Sequence, residues 1–170
     1  HDPEPGPILL VGNHLSGKTE LLRVLVHFAV STLTPCEIQY AVITNRVEEW
    51  PERLADAPQS VGIFSSQEIS AKRLVHAAST WIAEVKNPRQ FLLILVDDFK
   101  QILNWDNITL THLYRVLKNG PQKRLWPIFT TLPQYPQEMH NWLALFRTRI
   151  VARDLVDRAS GNNYQTGSNQ

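Results

Sequence analysis

Residues 12–19 read GNHLSGKT and lie between an apolar run and a stretch of helical period. Glycines near both ends let the backbone approach an anion closely and adopt positive φ, so its N–H groups can surround a phosphate chain. In such a loop Lys18 reaches the β- and γ-phosphates, Thr19 can ligate Mg²⁺, and the following helix points its positive end at the same anion. The stretch therefore predicts a nucleotide-binding loop made of Gly12, Asn13, His14, Leu15, Ser16, Gly17, Lys18 and Thr19.

Two alternatives apply to parts of this loop. A glycine turn that merely joins a strand to a helix would produce a similar pattern. His14 is able to contact phosphate, but loop-interior positions vary freely in this motif, so its presence carries little information.

Apolar runs bounded by turn residues alternate with longer stretches of helical period along the whole chain. This alternation predicts βα units around a mostly parallel sheet, an α/β fold. The predicted strands are 7–12, 37–44, 60–66, 91–99, 125–132 and 147–154, and the predicted helices are 18–30, 67–85, 110–118 and 137–146. The run at 91–99 is the most apolar, so we expect it at the centre of the sheet. Pro127 lacks an N–H group, so its strand should enter the sheet only from about Ile128.

The chain has 170 residues, 43% of them hydrophobic, which suits one domain with one good core. We expect the core to span 8–158, preceded at 1–7 by a linker or the edge of a fragment. The polar stretch 159–170 is expected to be a disordered tail.

Composition narrows the classes of function. The 17 basic and 16 acidic residues nearly cancel, so a strong overall positive field for nucleic acid is absent. One cysteine excludes an internal disulfide framework and fits a reducing compartment, so we expect a cytoplasmic location. No apolar run is long enough to cross a bilayer, and the histidines lack the paired spacing of a zinc site.

The apolar run at 91–99 carries two adjacent carboxylates, Asp97 and Asp98. A nucleotide hydrolase needs an acidic group beside Mg²⁺ and a base or positioning group for the attacking water. We interpret Asp97 as the metal-side carboxylate and Asp98 as the candidate base. The alternative is a pair of capping or solvated carboxylates at the end of a strand.

The order of these motifs resembles the FtsK/SpoIIIE family of the FtsK–HerA group of P-loop ATPases, and the likeness covers nearly the whole chain. YAVITNRVEEW looks like the family's second strand, FLLILVDDFKQIL like its Asp-Glu strand, and FRTRIVARDLVDR like its closing strand. LKNGPQKRLWPIFTTLPQYP is similar to a Gly-Arg turn, a strand and a Thr-Gln-Arg-Pro sensor. Only the phosphate loop is a specific motif by itself.

The resemblance implies a RecA-like three-layer P-loop NTPase fold, ATP and Mg²⁺ as ligands, and assembly into a homo-oligomeric, hexameric ring. It implies that double-stranded DNA or a secreted polypeptide is moved through that ring. It also places Thr131 at the sensor position beside the γ-phosphate. Any membrane attachment would come from other parts of a parent chain.

The sequence departs from the family pattern at catalytic positions. Asp98 stands where the family has Glu, which withdraws the carboxylate by roughly 1 Å, and such a displacement can cost about a hundredfold in rate. Leu132 and Pro133 replace the sensor's Gln-Arg, which removes a polar group near the γ-phosphate.

Two further departures affect the surroundings. Asn45-Arg46 replaces an Asp-Pro pair. Gly120-Pro121 replaces the Gly-Arg turn, which leaves Lys123 or Arg124 as candidates for a cation that acts on a neighbour's nucleotide.

Other basic and aromatic residues are less specific. Lys118, Lys123 and Arg124 cluster at one turn, where a DNA or subunit contact and a solvated turn are both consistent with the sequence. Three arginines, at 147, 149 and 153, share one face of the predicted last strand, which favours a subunit interface or an acidic partner. The five tryptophans are expected to be core or interface anchors.

Two hypotheses of function follow. In the first, the domain is an ATPase motor of the FtsK/SpoIIIE type that couples hydrolysis to movement of double-stranded DNA. In the second, it is a degenerate, weakly hydrolysing or non-hydrolysing module that acts in assembly or regulation, as in multi-domain secretion ATPases. The Asn-Lys-x-Asp guanine reader of GTPases and the Arg-rich lid of small-molecule kinases are both missing from the sequence.

Overall fold

The computed structural model describes residues 6–152, which form six strands and five α-helices. The strands are β1 (Ile8–Val11), β2 (Ile38–Thr44), β3 (Ser60–Ser65), β4 (Phe91–Val96), β5 (Leu125–Thr131) and β6 (Thr148–Val151). The helices are α1 (Lys18–Thr32), α2 (Glu52–Ala55), α3 (Ile69–Glu84), α4 (Asn107–Asn119) and α5 (His140–Leu143). Short 3-10 turns cover Val47–Glu49, Phe99–Ile102, Pro121–Lys123 and Gln137–Met139.

The strands form one sheet in the order β3-β2-β4-β5-β1-β6, and every pairing in it is parallel. β4 and β5 hold the two central positions. The expectation that the most apolar run lies at the centre of the sheet is therefore confirmed.

Helices cover both faces of the sheet. Helices α3, α4 and α5 pack on one face in a large hydrophobic cluster, and α1 and α2 pack on the other. The buried residues of α3 recur every three or four positions, as an amphipathic helix requires: Ala71, Val75, Ala78 and Ile82. The predicted three-layer, RecA-like α/β fold with a parallel central sheet is confirmed.

Strand β5 lies between β1, which leads into the phosphate loop, and β4, which leads into the two carboxylates. Because all strands are parallel, the carboxyl ends of β1, β5 and β4 meet at the same edge of the sheet. Ligands of open parallel sheets bind at this edge. The topology thus brings together residues that are distant in the sequence, such as Thr19 and Asp97, which are 78 positions apart, and Asp97 and Thr130, which are 33 positions apart.

The expectation for Pro127 is wrong for one side of its strand. Strand β5 begins at Leu125 and pairs with β4 from that residue, with Pro127 opposite Ile94. Backbone groups alternate sides along a strand. The Arg124 carbonyl accepts from the N–H of Leu92 in β4, whereas the Thr131 carbonyl accepts from the N–H of Gly12, which follows β1. Pro127 therefore faces β1, one residue before pairing with that strand begins at Ile128, so no ladder bond is lost.

Several predicted boundaries also differ. Strand β4 ends at Val96, before both carboxylates, because Asp98 adopts a left-handed backbone with φ of 75°. The predicted helix at 137–146 is a 3-10 turn followed by the single turn of α5. The predicted strand at 147–154 is shorter and covers 148–151 within the described residues.

The expected linker and tail fall largely outside the described residues. Residues 1–5 and 159–170 are not among them, and the domain boundaries 8–158 stay a prediction. Gly6 is buried, and a Cβ at that position would lie 3.0 Å from the side chain of Arg147. Arg149 donates to the Leu143 carbonyl at 2.6 Å, so two of the three arginines assigned to one face contact the domain itself. The third, Arg153, lies outside the described residues.

We predict a pH dependence of folding from the contact between α3 and α4. Burial lowers the pKa of His112, and the charges of His76 and Arg115 lower it further. The ring centroids of His112 and His76 are 4.0 Å apart. Below the ordinary histidine pKa of about 6.5, the unfolded chain binds the proton more tightly than the folded chain, so stability falls as the pH decreases.

The midpoint of urea unfolding should therefore fall between pH 7.5 and pH 5.5, and His112→Asn should reduce that fall. Exposed His140→Asn serves as the control and should leave the fall unchanged. Equal pH dependence in wild type and His112→Asn would contradict the assignment.

Candidate functional site

The loop at 12–19 joins β1 to α1, as predicted. Gly17 precedes the first residue of α1 with a left-handed φ of 82°, which a glycine adopts at little cost. Gly12 is required for a different reason, since a Cβ there would lie 2.4 Å from the Ser16 Oγ atom. The Gly12 N–H also donates to the Thr131 carbonyl at 3.2 Å, which attaches the start of the loop to β5.

The Lys18 side chain folds back over the loop. Its ammonium donates to the carbonyls of Gly12 at 2.7 Å and Asn13 at 2.6 Å, and to the Ser16 hydroxyl at 3.2 Å. These contacts hold the positive charge where the loop's N–H groups would meet a phosphate. His14 and Leu15 form the exposed tip of the loop.

The Asp97 carboxylate is the centre of a buried hydrogen-bond network and is only 4% exposed. The Thr19 hydroxyl lies 3.1 Å from Oδ1 and 2.9 Å from Oδ2 of Asp97. The Thr130 hydroxyl donates to Oδ1 at 3.0 Å. The structure thus brings together Thr19 and Asp97, the two residues assigned to Mg²⁺, and adds Thr130, which the sequence analysis missed.

Asp98, the candidate base, has both carboxylate oxygens in local hydrogen bonds. Oδ1 accepts from the Lys100 N–H at 3.2 Å, and Oδ2 accepts from the Gln101 amide at 3.0 Å. The side chain therefore caps the 3-10 turn at Phe99–Ile102. Asp98 still lines the cavity described below, but the capping alternative considered from the sequence describes its contacts well.

Thr131, the expected sensor, is buried, and its hydroxyl donates to the Met139 sulfur at 3.7 Å. Its neighbour Thr130 makes the contacts expected of a group that couples β5 to the site, since its hydroxyl also accepts from the Asp98 N–H at 2.8 Å. Side chains alternate along a strand, which explains why adjacent threonines face different surroundings. That alternation is the sequence signal by which Thr130 could have been considered.

Arg46 reaches the same network from the end of β2. Its Nη2 atom lies 3.3 Å from the Thr19 hydroxyl and 3.6 Å from Oδ2 of Asp97. Its Nη1 atom pairs with Glu49 at 3.1 Å. In the sequence, Arg46 is recognisable only as a departure from a family pattern, and its place in the site is evident from the structure alone.

These groups surround a cavity of about 590 Å³. The loop lines one side, Arg46 and Asn45 another, and the ends of β4 and β5 the floor. Hard oxygen donors such as those of Thr19 and Asp97 suit Mg²⁺ in type. With a guanidinium already in contact with both residues, however, the arrangement as it stands does not fit a bound divalent cation.

The candidates for a cation acting on a neighbour's nucleotide lie elsewhere. Lys123 donates to the Val85 carbonyl at 2.9 Å, and Arg124 donates to the Arg89 carbonyl at 3.0 Å. Both precede β5 and so lie at the edge of the sheet opposite the cavity. Within the chain they support the turn, which favours the structural alternative over a DNA contact.

Two of the five tryptophans lie in the interior of the domain. Trp50 and Trp105 are buried, and Trp105 donates to the Ser66 carbonyl at 2.8 Å.

Across residues 6–152, no three side chains of His, Cys, Asp or Glu come together as a metal-binding group. In that same range no helix has both the length and the apolar character needed to cross a membrane.

Comparisons with known proteins identify the class of fold. No protein-family model and no curated protein matches the chain. Among solved structures, ATPases 2 and 3 of Thermomonospora curvata EccC, in complex with a signal sequence peptide, superpose with a TM-score of 0.60 and 19% identity over 75% of this chain. The cytoplasmic domain of EssC gives a TM-score of 0.65 and 16% identity over 94% of this chain. The structure of Drosophila ORC bound to DNA gives a TM-score of 0.50 and 20% identity over 86% of this chain.

At these identities the likeness shows the fold, which is that of a RecA-like P-loop ATPase domain. Within that class the chain is similar to the ATPase domains of EccC and EssC, so the resemblance to FtsK/SpoIIIE-type domains is supported at the level of structure. The chain spans 25% of the EccC chain, 34% of the EssC chain and 37% of the ORC chain.

We predict that Asp97→Asn destabilises the domain. An asparagine offers one acceptor oxygen and an NH₂ group, whereas the Asp97 carboxylate accepts from the Thr19 and Thr130 hydroxyls and forms an ion pair with Arg46 at 3.6 Å. Leaving these donors without an acceptor should lower the free energy of unfolding by about 1–3 kcal/mol, measured by urea denaturation. The exposed Asp56→Asn is the control and should change it by less than about 0.5 kcal/mol. A change in Asp97→Asn no larger than in this control would contradict the network.

Proposed function

We propose that this domain binds ATP in the cavity beside the 12–19 loop and acts as a weakly hydrolysing or non-hydrolysing ATPase-like module within a larger assembly. The observation that carries the proposal is a contrast within one site. The phosphate loop has the groups needed for binding, whereas the groups expected to assist hydrolysis are engaged elsewhere.

The support for binding comes from the loop and its surroundings. Residues 14–19 of the loop, including Lys18, and the first turn of α1 line one side of the cavity. A helix N-terminus and a lysine at such a loop attract phosphate by dipole and charge. The sequence lacks the guanine reader of GTPases, so ATP is the nucleotide we propose.

The support for weak hydrolysis comes from Asp98 and the residues after β5. Asp98 caps a 3-10 turn through both oxygens, so activating a water would compete with the cap. Leu132 lines the cavity, and together with Pro133 it supplies no polar side-chain atom near a γ-phosphate. Each departure removes part of the charge stabilisation on which phosphoryl transfer depends.

An exposed apolar surface on α1 supports a role in assembly. Leu21, Val24 and Phe28 recur at helical spacing and are exposed, Phe28 by 64%. Ile150 of β6 is also exposed and pairs with Leu10, which packs under α1, so its side chain lies on the same face of the sheet as that helix. Exposed apolar side chains grouped on one face are typical of contacts between proteins.

We propose a ring or row of similar domains as the assembly, with a secreted polypeptide as its cargo. ATPases 2 and 3 of EccC, of similar fold, bind a signal sequence peptide in their solved complex. The net charge of +1 offers little general attraction to DNA, although ORC, of similar fold, is bound to DNA. The exposed thiol of Cys36 would stay reduced in the cytoplasm, which is the compartment we propose.

The decisive experiment is a calorimetric titration with ATP, followed by phosphate release with and without double-stranded DNA. Binding with little phosphate release, unaffected by DNA, would support the proposal. Release stimulated by DNA would overturn it in favour of a DNA-translocating motor, and absence of binding would remove the nucleotide site altogether.

We predict that Lys18→Ala abolishes ATP binding while leaving the fold intact, because the ammonium donates to groups of the loop, outside the hydrophobic core, and would contact phosphate in the bound state. Calorimetry should show about a hundredfold loss of affinity, the upper end of the cost of removing a charge-assisted phosphate contact. Exposed Lys100→Ala lies near the site and serves as the control, with affinity unchanged. Equal ATP affinity in wild type and Lys18→Ala would show that the loop is not the site.

We also predict that Asp98→Glu alone leaves phosphate release within about threefold of wild type. The longer side chain restores reach, worth up to about a hundredfold in an otherwise complete site. Here the residues after β5 still lack a polar group, and Arg46 still contacts the metal-side residues. A gain close to a hundredfold in a phosphate-release assay would show instead that Asp98 is the only deficient group.

A further inference from the structure

We propose that the guanidinium of Arg46 takes the place of Mg²⁺ in this site, so that the domain binds nucleotide without a divalent cation. The inference rests on the proposed function, because it specifies the ionic form of the nucleotide that the same cavity binds. It concerns a residue that the phosphate-loop motif does not include.

Arg46 lies against both residues that are assigned to the metal ion. Arg46 Nη2 is 3.3 Å from the Thr19 hydroxyl and 3.6 Å from the Asp97 carboxylate, the two residues assigned to the metal. The Thr19 hydroxyl donates its proton to Asp97 and accepts from Arg46, so the oxygen that would bind Mg²⁺ is already directed at a cation. A divalent ion at this point would have to displace the guanidinium and would be repelled by it while it remained.

The surrounding structure holds Arg46 in place. Its backbone N–H donates to the hydroxyl of Thr44, a buried residue at the end of β2, at 3.1 Å. Its other terminal nitrogen pairs with Glu49, which in turn pairs with Arg23 at 3.2 Å. Arg46 is thus held at its backbone N–H by Thr44 and at its guanidinium by Glu49.

The guanidinium of Arg46 is chemically suited to bind the phosphates of a nucleotide. The Arg46 side chain is 48% exposed and lines the cavity. A guanidinium has five N–H donors, and the contacts to Thr19, Asp97 and Glu49 use at most three of them, so donors remain for a ligand placed there. A guanidinium is always charged and matches phosphate oxygens in a planar, two-pronged geometry. Together with Lys18 it would place two positive charges on the polyphosphate, as a lysine and a metal ion do in a magnesium-dependent site.

The inference can be tested by binding alone. A fluorescent ATP analogue, mant-ATP, is titrated into wild type and Arg46→Gln, each in excess Mg²⁺ and in excess EDTA. Wild type should bind with affinities within about threefold in the two conditions. Arg46→Gln should lose about tenfold or more in EDTA, the cost of one charge-assisted contact, and recover at least part of this with Mg²⁺.

Controls separate the possible outcomes. Arg53→Gln removes an exposed arginine that does not line the cavity, and it should bind like wild type in both conditions. Thermal unfolding verifies each variant, and Arg46→Ala must reproduce the result if Arg46→Gln is poorly folded.

Two results would overturn the inference while leaving the proposed function intact. One is wild-type binding that is lost in EDTA, and the other is an EDTA affinity of Arg46→Gln equal to that of wild type. Absence of mant-ATP binding to wild type in both conditions would overturn the inference and the proposed nucleotide site together.

Discussion

The buried carboxylate of Asp97 is the interaction on which the candidate site depends. Its hydrogen bonds connect the end of β4 to the start of α1 through Thr19 and to β5 through Thr130, and Arg46 extends them to the end of β2. A carboxylate that is 4% exposed is stable only if such donors compensate for the lost water. Four segments distant in sequence are therefore held in register by one charged group.

The sequence predicted the fold well because its strongest signals are local. The glycines at 12 and 17 specify a loop that only a strand before it and a helix after it can support, and the apolar run at 91–96 specifies a strand covered on both faces. The parallel, three-layer arrangement then follows from the alternation of strands and helices. The error at Pro127 arose because the periodicity of a strand does not say which neighbour each backbone group faces.

The parts of the site that escaped prediction depend on the order of strands in the sheet. Arg46 meets Thr19 only because β2 lies beside β4, and Thr130 meets Asp97 only because β5 lies between β4 and β1. No spacing within the sequence contains this order. The capping role of Asp98 depends on a left-handed backbone conformation, which is uncommon for a residue other than glycine and which the apolar pattern of the strand does not indicate.

Within residues 6–152, the outermost strand on one side of the sheet is β6, which is four residues long and exposed along its length. A free strand edge invites another chain to continue the sheet, and short length and charged side chains are the usual protection against this. Both are present, since the strand has four residues, Arg147 precedes it and Arg149 lies within it. In an assembly of the kind proposed, a neighbouring domain that approached this edge would therefore contact side chains and apolar surface rather than extend the sheet by backbone hydrogen bonds.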